Sequence, residues 1–138
     1  MEFSRNILLI NRYFREKRQS YLEPYGLRGY HARFLIEISQ APGISQDGLS
    51  QKLGVDKSNV TRQAAFLEEG GYLTRESDPA DKRVLRLYPT EKALALIEPL
   101  KAETQQWEHT LLSTLSAEEQ EVLLPLLDRL RREAQREV

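Results

Sequence analysis

Between Ser45 and Tyr72 the chain carries two short stretches of helical periodicity separated only by Gly54-Val55, and the remaining segments are organised around this pair. The first stretch runs from Ser45 to Leu53. The second opens at Asp56 and runs to about Glu69, with the Asp56 carboxylate expected to cap the free N–H groups of the first turn. Gly54 suits a turn that needs positive φ. Along the second stretch Val60, Ala64 and Leu67 recur at steps of four and three and share one face. The opposite face carries Ser58, Asn59, Thr61, Arg62 and Ala65: small, polar and singly basic. Such a face can enter a DNA major groove, where short hydrogen-bonding side chains reach base edges and Arg forks onto guanine. On these residues alone an ordinary amphipathic helix with a wet face is the simpler reading, because the helix–turn–helix arrangement is common in helical proteins.

The segment that follows shifts the balance. Gly70-Gly71 ends the helix. Two short strands are expected next, Tyr72 to Glu76 and Val84 to Tyr88, with Leu85 and Leu87 on one face of the second. Between them lies a polar tip, Ser77-Asp78-Pro79-Ala80-Asp81-Lys82-Arg83. It reads either as a solvated loop or as a wing whose cations enter a minor groove or clamp phosphates.

The flanks are helical. Phe3, Ile7, Ile10 and Phe14 follow steps of four and three over residues 3–22, and Leu8, Leu9, Tyr13, Tyr21 and Leu22 widen the stripe. An apolar surface this broad on a terminal helix points to a subunit interface rather than a single neighbour. After Pro24 and Gly26 a second helix is expected from about Tyr30 to Gln40, with Phe34, Leu35 and Ile38 inward, ending at Pro42-Gly43. Gly48, inside the following helix, should cost about 1 kcal/mol relative to Ala unless it permits close packing. Thr90 is placed to cap a long helix reaching about Leu112. Ser116 to Glu119 has the form of a capping box opening a last helix to about Arg136, whose buried stripe is expected to be Val122, Leu123, Leu126, Leu127 and Leu130. Pro99 and Pro125 fall inside these two helices and should kink them.

Composition narrows the function classes. The 138 residues suggest one domain of ordinary size, 40% apolar and 30% charged. No apolar run approaches the roughly 20 residues of a membrane span. Arg5-Asn6 precedes only four apolar residues, so no signal-peptide pattern is read and a cytoplasmic location is expected. With no cysteine there is no disulfide, thiol switch or cysteine-ligated zinc site. Net charge is −1, but it is uneven: six Lys/Arg stand against three Glu over 1–28, and six against ten acids over 91–138. Overall charge therefore neither supports nor excludes nucleic acid. No nucleophile, base and orienting residue form a catalytic arrangement, so an enzyme is not expected. His31 and His109 are far apart in sequence. His31 reads as a partly exposed helix residue, with metal ligation alongside Asp or Glu the lesser reading. No cofactor is called for.

The run from Gly26 to Ala93 resembles the multiple-antibiotic-resistance regulator (MarR) family of winged-helix transcription factors. The residues that carry the likeness are Gly26-Leu27 and Ser45-x-x-x-Leu49-x-x-x-Leu53-Gly54-Val55-Asp56-Lys57-Ser58-x-Val60-Thr61-Arg62. They continue with Leu67-Glu68-x-x-Gly71-Tyr72-Leu73-x-Arg75, Asp78-Pro79-x-Asp81-Lys82-Arg83 and Thr90-Glu91-Lys92. One helix–turn–helix match is weak, but this wing motif at its distance from Lys-Ser-x-Val-Thr-Arg is specific.

The resemblance implies a mainly α fold with a small β-hairpin wing: a winged helix–turn–helix DNA-binding lobe over 28–90 and a helical dimerisation region over 1–27 and 91–138. It implies a homodimeric, sequence-specific binder of double-stranded DNA, in most cases a repressor. Many members release DNA when a small phenolic or anionic effector binds between the lobes. Carried over by position, the DNA-binding set is Lys57, Ser58, Asn59, Thr61 and Arg62 on the recognition helix, with Arg75, Asp81, Lys82 and Arg83 on the wing. Asp81 would brace Arg83. Departures are Pro89 where Leu is usual, Ala93 where Gly is frequent, and unusual residues at Gln63 and Phe66. The lack of cysteine excludes the peroxide-sensing thiol branch. Tyr13, Tyr21, Tyr25, Tyr30, His31 and Phe34 cluster in sequence near the first two helices and read either as effector-pocket walls or as core and dimer-seam aromatics. A dimer should prefer a pseudo-palindromic operator with half-sites about 10 base pairs apart or a multiple. The rival is a winged-helix protein-interaction module without specific DNA binding, to which the acidic C-terminal half would be suited.

Overall fold

The computed structural model describes residues 2–138, in the order α1 (Glu2–Leu22), a 3-10 turn (Glu23–Tyr25), α2 (Gly29–Gln40), β1 (Ile44–Ser45), α3 (Gln46–Leu53), α4 (Lys57–Glu69), β2 (Leu73–Ser77), β3 (Leu85–Pro89), α5 (Glu91–Leu112) and α6 (Ala117–Glu137). It is mainly α with a small antiparallel sheet. The chain forms two compact units, Met1–Lys101 and Ala102–Val138.

The first unit holds the core. Phe34, Leu35 and Ile38 of α2 lie buried with Leu49 and Leu53 of α3 and with Val60, Ala64 and Leu67 of α4. Leu73 and Leu87 bring the hairpin into this core, and Ala93, Leu96, Ile97 and Leu100 bring the first turns of α5. One apolar face per element, at the spacing of its own secondary structure, therefore accounts for the packing.

The sheet order is β1-β3-β2. The β1 strand was not expected. Its two residues are too few to show alternation, and only pairing of Ile44 with Leu87 and Ser45 with Arg86 makes them a strand. Both hairpin strands also begin one residue later than expected. The Tyr72 N–H is committed to the Leu67 carbonyl (2.8 Å) and the Gly71 N–H to that of Glu68 (3.0 Å), with Gly71 at φ 80°. This Schellman closure assigns Tyr72 to the end of α4. At the tip, the Val84 N–H donates to the Asp81 carbonyl and its own carbonyl accepts from Asp78, so Val84 closes the loop.

The caps are mixed. Ser45 accepts from the Gly48 N–H at 2.9 Å, and a Cβ on Gly48 would stand 3.1 Å from that hydroxyl and 3.2 Å from Ile44 Cγ1. The missing side chain thus serves the helix's own cap. Thr90 Oγ1 accepts from the Ala93 N–H and donates to the Gly71 carbonyl, tying α5 to the end of α4. Asp56 has N-cap backbone geometry, but its carboxylate makes no capping bond. The first turn of α4 is exposed, so its N–H groups do not need an internal acceptor.

In the second unit the Ser116–Glu119 capping box forms in both directions, Glu119 N–H to Ser116 Oγ at 3.1 Å and Ser116 N–H to Glu119 Oε1 at 2.9 Å. Gln120 Nε2 donates to the carbonyls of Leu112 and Leu115 and pins the turn. The expected buried stripe of α6 is not buried. Val122, Leu126, Leu127 and Leu130 are exposed and Leu123 is half-buried. A unit this short has too little apolar surface to cover its own amphipathic helix. The N-terminal stripe of α1 is open too, with Phe3, Ile7, Leu8, Ile10 and Tyr13 exposed while Leu22 is buried. Both α5 and α6 remain helical through Pro99 and Pro125.

Candidate nucleic-acid interface

The buried face of α4 fixes what its other face can offer. With Val60, Ala64 and Leu67 in the core, the side chains of Lys57, Ser58, Thr61, Arg62 and Ala65 are exposed and Asn59 is half-buried. Arg62 makes no side-chain hydrogen bond or ion pair among the described residues. Lys57 has a loose partner, Asp47 at 3.5 Å, both being largely solvated. Thr61 Oγ1 donates back to the Lys57 carbonyl and accepts from Gln46 Nε2 at 3.3 Å, which links α3 to α4 on the outer surface.

The wing tip is built on its two aspartates. Asp78 Oδ1 accepts from the Ala80 N–H (2.7 Å) and Oδ2 from Arg86 Nε (2.6 Å). The same guanidinium donates through Nη1 to the Gly43 carbonyl (2.9 Å), so one arginine ties the wing to the turn before β1. The Ala80 N–H, and after it the Arg86 guanidinium, hold the Asp78 carboxyl below its ordinary range. Asp81 takes Arg83 in a fork, Nε to Oδ1 at 3.1 Å and Nη2 to Oδ2 at 3.2 Å, and the Arg83 hydrogen bond lowers the carboxyl's pKa. Arg83 remains 91% exposed, aimed without being covered. Lys82 is exposed, with no hydrogen bond or ion pair from its side chain among the described residues.

Arg75 has a different setting. Its Nε and Nη2 both donate to Glu68 Oε1 (3.2 and 3.0 Å), and its backbone N–H donates to Oε2 (3.0 Å). It joins the end of α4 to the wing strand and is not a free cation. The resemblance supplied Arg75 and Asp81. It did not supply Glu68 or Arg86 in these roles, since the bond from Gly43 to Arg86 crosses 43 residues of chain.

The six ring-bearing residues considered for an effector pocket do not converge on one cavity. Phe34 is core, Tyr13 and Tyr25 are about half exposed, and only Tyr30 lines the cleft between α1 and α2. His31, expected to be partly exposed, is 4% exposed. Its ring stacks on Phe66 at 4.6 Å and packs on Tyr30 at 4.3 Å, and these two neighbours exclude water from it. No group of acids and histidines able to hold a metal occurs among the described residues.

The cleft itself has a volume of about 930 Å³ and is lined by Arg12, Arg15, Arg18, Arg28, Arg33 and Tyr30, among others. Arg12 is paired with Glu16. Arg18 lies over the Phe14 ring at 5.2 Å, its Nε is buried without a hydrogen-bond partner among the described residues, and burial lowers its pKa. A buried, unanswered guanidinium donor suits an anion.

Known proteins share this architecture. The model of the MarR family matches residues 31–85. The uncharacterized HTH-type transcriptional regulator YybA of Bacillus subtilis (strain 168) is 31% identical over 104 residues, covering 75% of this chain and 69% of that protein. A MarR protein from Peptoclostridium difficile superposes with a TM-score of 0.87 at 26% identity, covering 99% of this chain and 90% of its own. A mutant MarR from E. coli, complexed with operator DNA, superposes with a TM-score of 0.78 at 26% identity and 94% coverage of both chains.

Proposed function

The chain belongs to the MarR family of transcriptional regulators, and from that premise we propose that it binds double-stranded DNA sequence-specifically as a homodimer. The observation that carries this reading is the pairing of a largely exposed polar face on α4, whose Arg62 has no side-chain partner among the described residues, with a braced wing that leaves Lys82 and Arg83 in solvent. Lys57, Ser58, Asn59, Thr61 and Arg62 read the major groove and its edges, while Lys82 and Arg83, the latter aimed by Asp81, take the flanking minor groove. Arg75 serves from within, holding the wing strand to the helix through Glu68. The open apolar faces of α1 and α6 meet a second copy, so that 1–27 and 91–138 form the dimerisation region around the 28–90 lobe. The protein acts as a repressor, and a small phenolic or anionic effector that fits the arginine-lined cleft releases it. Such a ligand must bind the DNA-incompetent arrangement more tightly, since equal affinity shifts nothing.

Fluorescence anisotropy against duplex DNA enriched from a random library tests the main claim. Arg62→Ala should weaken binding by about 1–3 kcal/mol if it meets a base, and Lys82→Ala should lower the salt slope by about one unit if it meets a phosphate. Unchanged affinity in both variants would favour a protein-interaction module instead. Salicylate at millimolar concentration, followed by thermal shift and by release of bound duplex, tests the cleft. Arg18→Met should abolish its effect.

A further inference from the structure

A chain of four hydrogen-bonding groups runs from the start of α2 to the outer face of α4. The Arg28 N–H lies 2.9 Å from His31 Nδ1, His31 Nε2 lies 3.1 Å from Gln63 Oε1, and Gln63 Nε2 lies 3.3 Å from Asn59 Oδ1. The direction of this chain follows from its first member. A backbone N–H can only donate, so Nδ1 must accept and the neutral ring carries its proton on Nε2. That proton requires an oxygen, which turns Gln63 Oε1 toward the histidine. The Gln63 amide nitrogen then faces Asn59, and its N–H requires Oδ1 there. Each link leaves one chemically consistent orientation for the next.

We infer that His31 and Gln63 are positioning residues that fix the Asn59 amide as a hydrogen-bond donor toward DNA, and so set base preference at the position it meets. The inference rests on the reading of α4 as the recognition helix. With Oδ1 engaged by Gln63, Asn59 keeps its two Nδ2 hydrogens uncommitted among the described residues. A donor edge matches guanine, which shows N7 and O6 acceptors in the major groove, or thymine O4. It does not match the amino group of cytosine, and it gives up the bidentate pairing with adenine N6 and N7 that a free asparagine makes. Burial keeps the device in one state. His31 is sealed between Phe66 and Tyr30, and burial first, then the Arg28 charge, disfavour its protonation against the opposing effect of its hydrogen bond to Gln63 Oε1. Asn59 and Gln63 lie one helical turn apart, so the last link is held by α4 itself.

Gln63→Glu tests the direction of the chain at almost constant shape. A carboxylate still accepts from His31 but cannot donate, so Asn59 must turn its Nδ2 inward and present Oδ1 outward. The full chain, Asn59→Ala, Gln63→Glu and Gln63→Leu would each select sites from a random duplex library at pH 8. In the wild type, one position per half-site should favour guanine or thymine, and Asn59→Ala should reduce that preference roughly tenfold, as for loss of one direct base contact. Gln63→Glu should move the preference at the same position to adenine or cytosine, whose amino groups donate. Gln63→Leu, which frees Asn59 without adding charge, should broaden it to include adenine. Imidazole nitrogen shifts in the wild type should report the Nε2–H tautomer without DNA. Retention of the wild-type preference by both Gln63 variants, an Asn59→Ala that changes no position, or an Nδ1–H tautomer would overturn the inference while leaving the DNA-binding reading intact. A folded wild type that selects no sequence would overturn that reading and this inference together.

Discussion

The bond between Glu68 and Arg75 separates a structural arginine from a DNA-contacting one, and the two roles make opposite predictions. Glu68 accepts three hydrogen bonds from Arg75, two from the guanidinium and one from the backbone, with the side chains 37% and 23% exposed. Hydrogen bonds to charged groups contribute about 1.5–3 kcal/mol when sheltered, whereas solvated ion pairs contribute about 0–1. Exposure between those limits places the link at about 1–2 kcal/mol. In a domain of this length that is about 3–8 °C in Tm. Arg75→Met and Glu68→Gln should each lower Tm by such an amount, and the double variant should be little worse than either, because both remove one link. Thermal and urea unfolding measure this, and anisotropy against DNA over a salt series runs beside it. The salt slope of Arg75→Met should match the wild type. A slope reduced by about one unit with stability unchanged would refute the argument and return Arg75 to the phosphate backbone. There is also a pH signature. The Arg75 hydrogen bond holds the Glu68 carboxyl below its ordinary value. Its contribution is therefore present above the unfolded carboxyl's pKa of about 4.3 and is lost as pH falls through the lower folded value. Glu68→Gln should remove that acid-side loss.

His31 makes a second pH prediction, in a higher window. Burial lowers its pKa, so the unfolded chain binds the proton more readily. Stability should be full above about pH 6.5 and fall as pH drops through the folded value, and His31→Gln should flatten this stretch of the urea-midpoint profile. Gly54 has φ 67° and open space, with nothing within 4 Å, where a Cβ would stand, so Gly54→Ala meets backbone strain and no clash. Left-handed strain of about 1–2 kcal/mol, partly offset by a stiffer unfolded chain, should lower stability by about 1 kcal/mol; Gly54→Asn, which tolerates that region better, should lose less in the same denaturant series. Leu126→Glu with Leu130→Glu places charge on the exposed stripe of α6. Sedimentation should show dissociation to monomer at micromolar concentration with helical circular dichroism retained, and an unchanged oligomer would remove α6 from the proposed dimer seam.

Most of the elements could be read locally. The Val60-Ala64-Leu67 face, the Gly54 and Gly71 stops, the Thr90 cap and the Ser116–Glu119 box are statements about residues within a turn or two of each other, where backbone geometry leaves few choices. The polar face of α4 follows once its apolar face is known, and the wing follows from its turn residues. The expected strand starts lie one residue early because the hydrogen bond of the Tyr72 N–H depends on how α4 ends, which a strand pattern does not contain.

The amino-acid order by itself determined which stretches become helix, hairpin and turn, and which face of α4 remains polar, because periodicity and allowed φ act over short distances. Only the tertiary structure decided that Ile44-Ser45 is a strand, that Arg75 is a strut, that Arg86 fastens the wing, and that His31 is buried with Nδ1 facing the Arg28 N–H and Nε2 facing Gln63. Each of these depends on a partner brought close by folding, and a side chain's charge, exposure and donor direction are set by such partners. The same holds in reverse for the apolar stripe of α6, which local pattern assigns to a core but whose burial requires a surface that this unit does not contain.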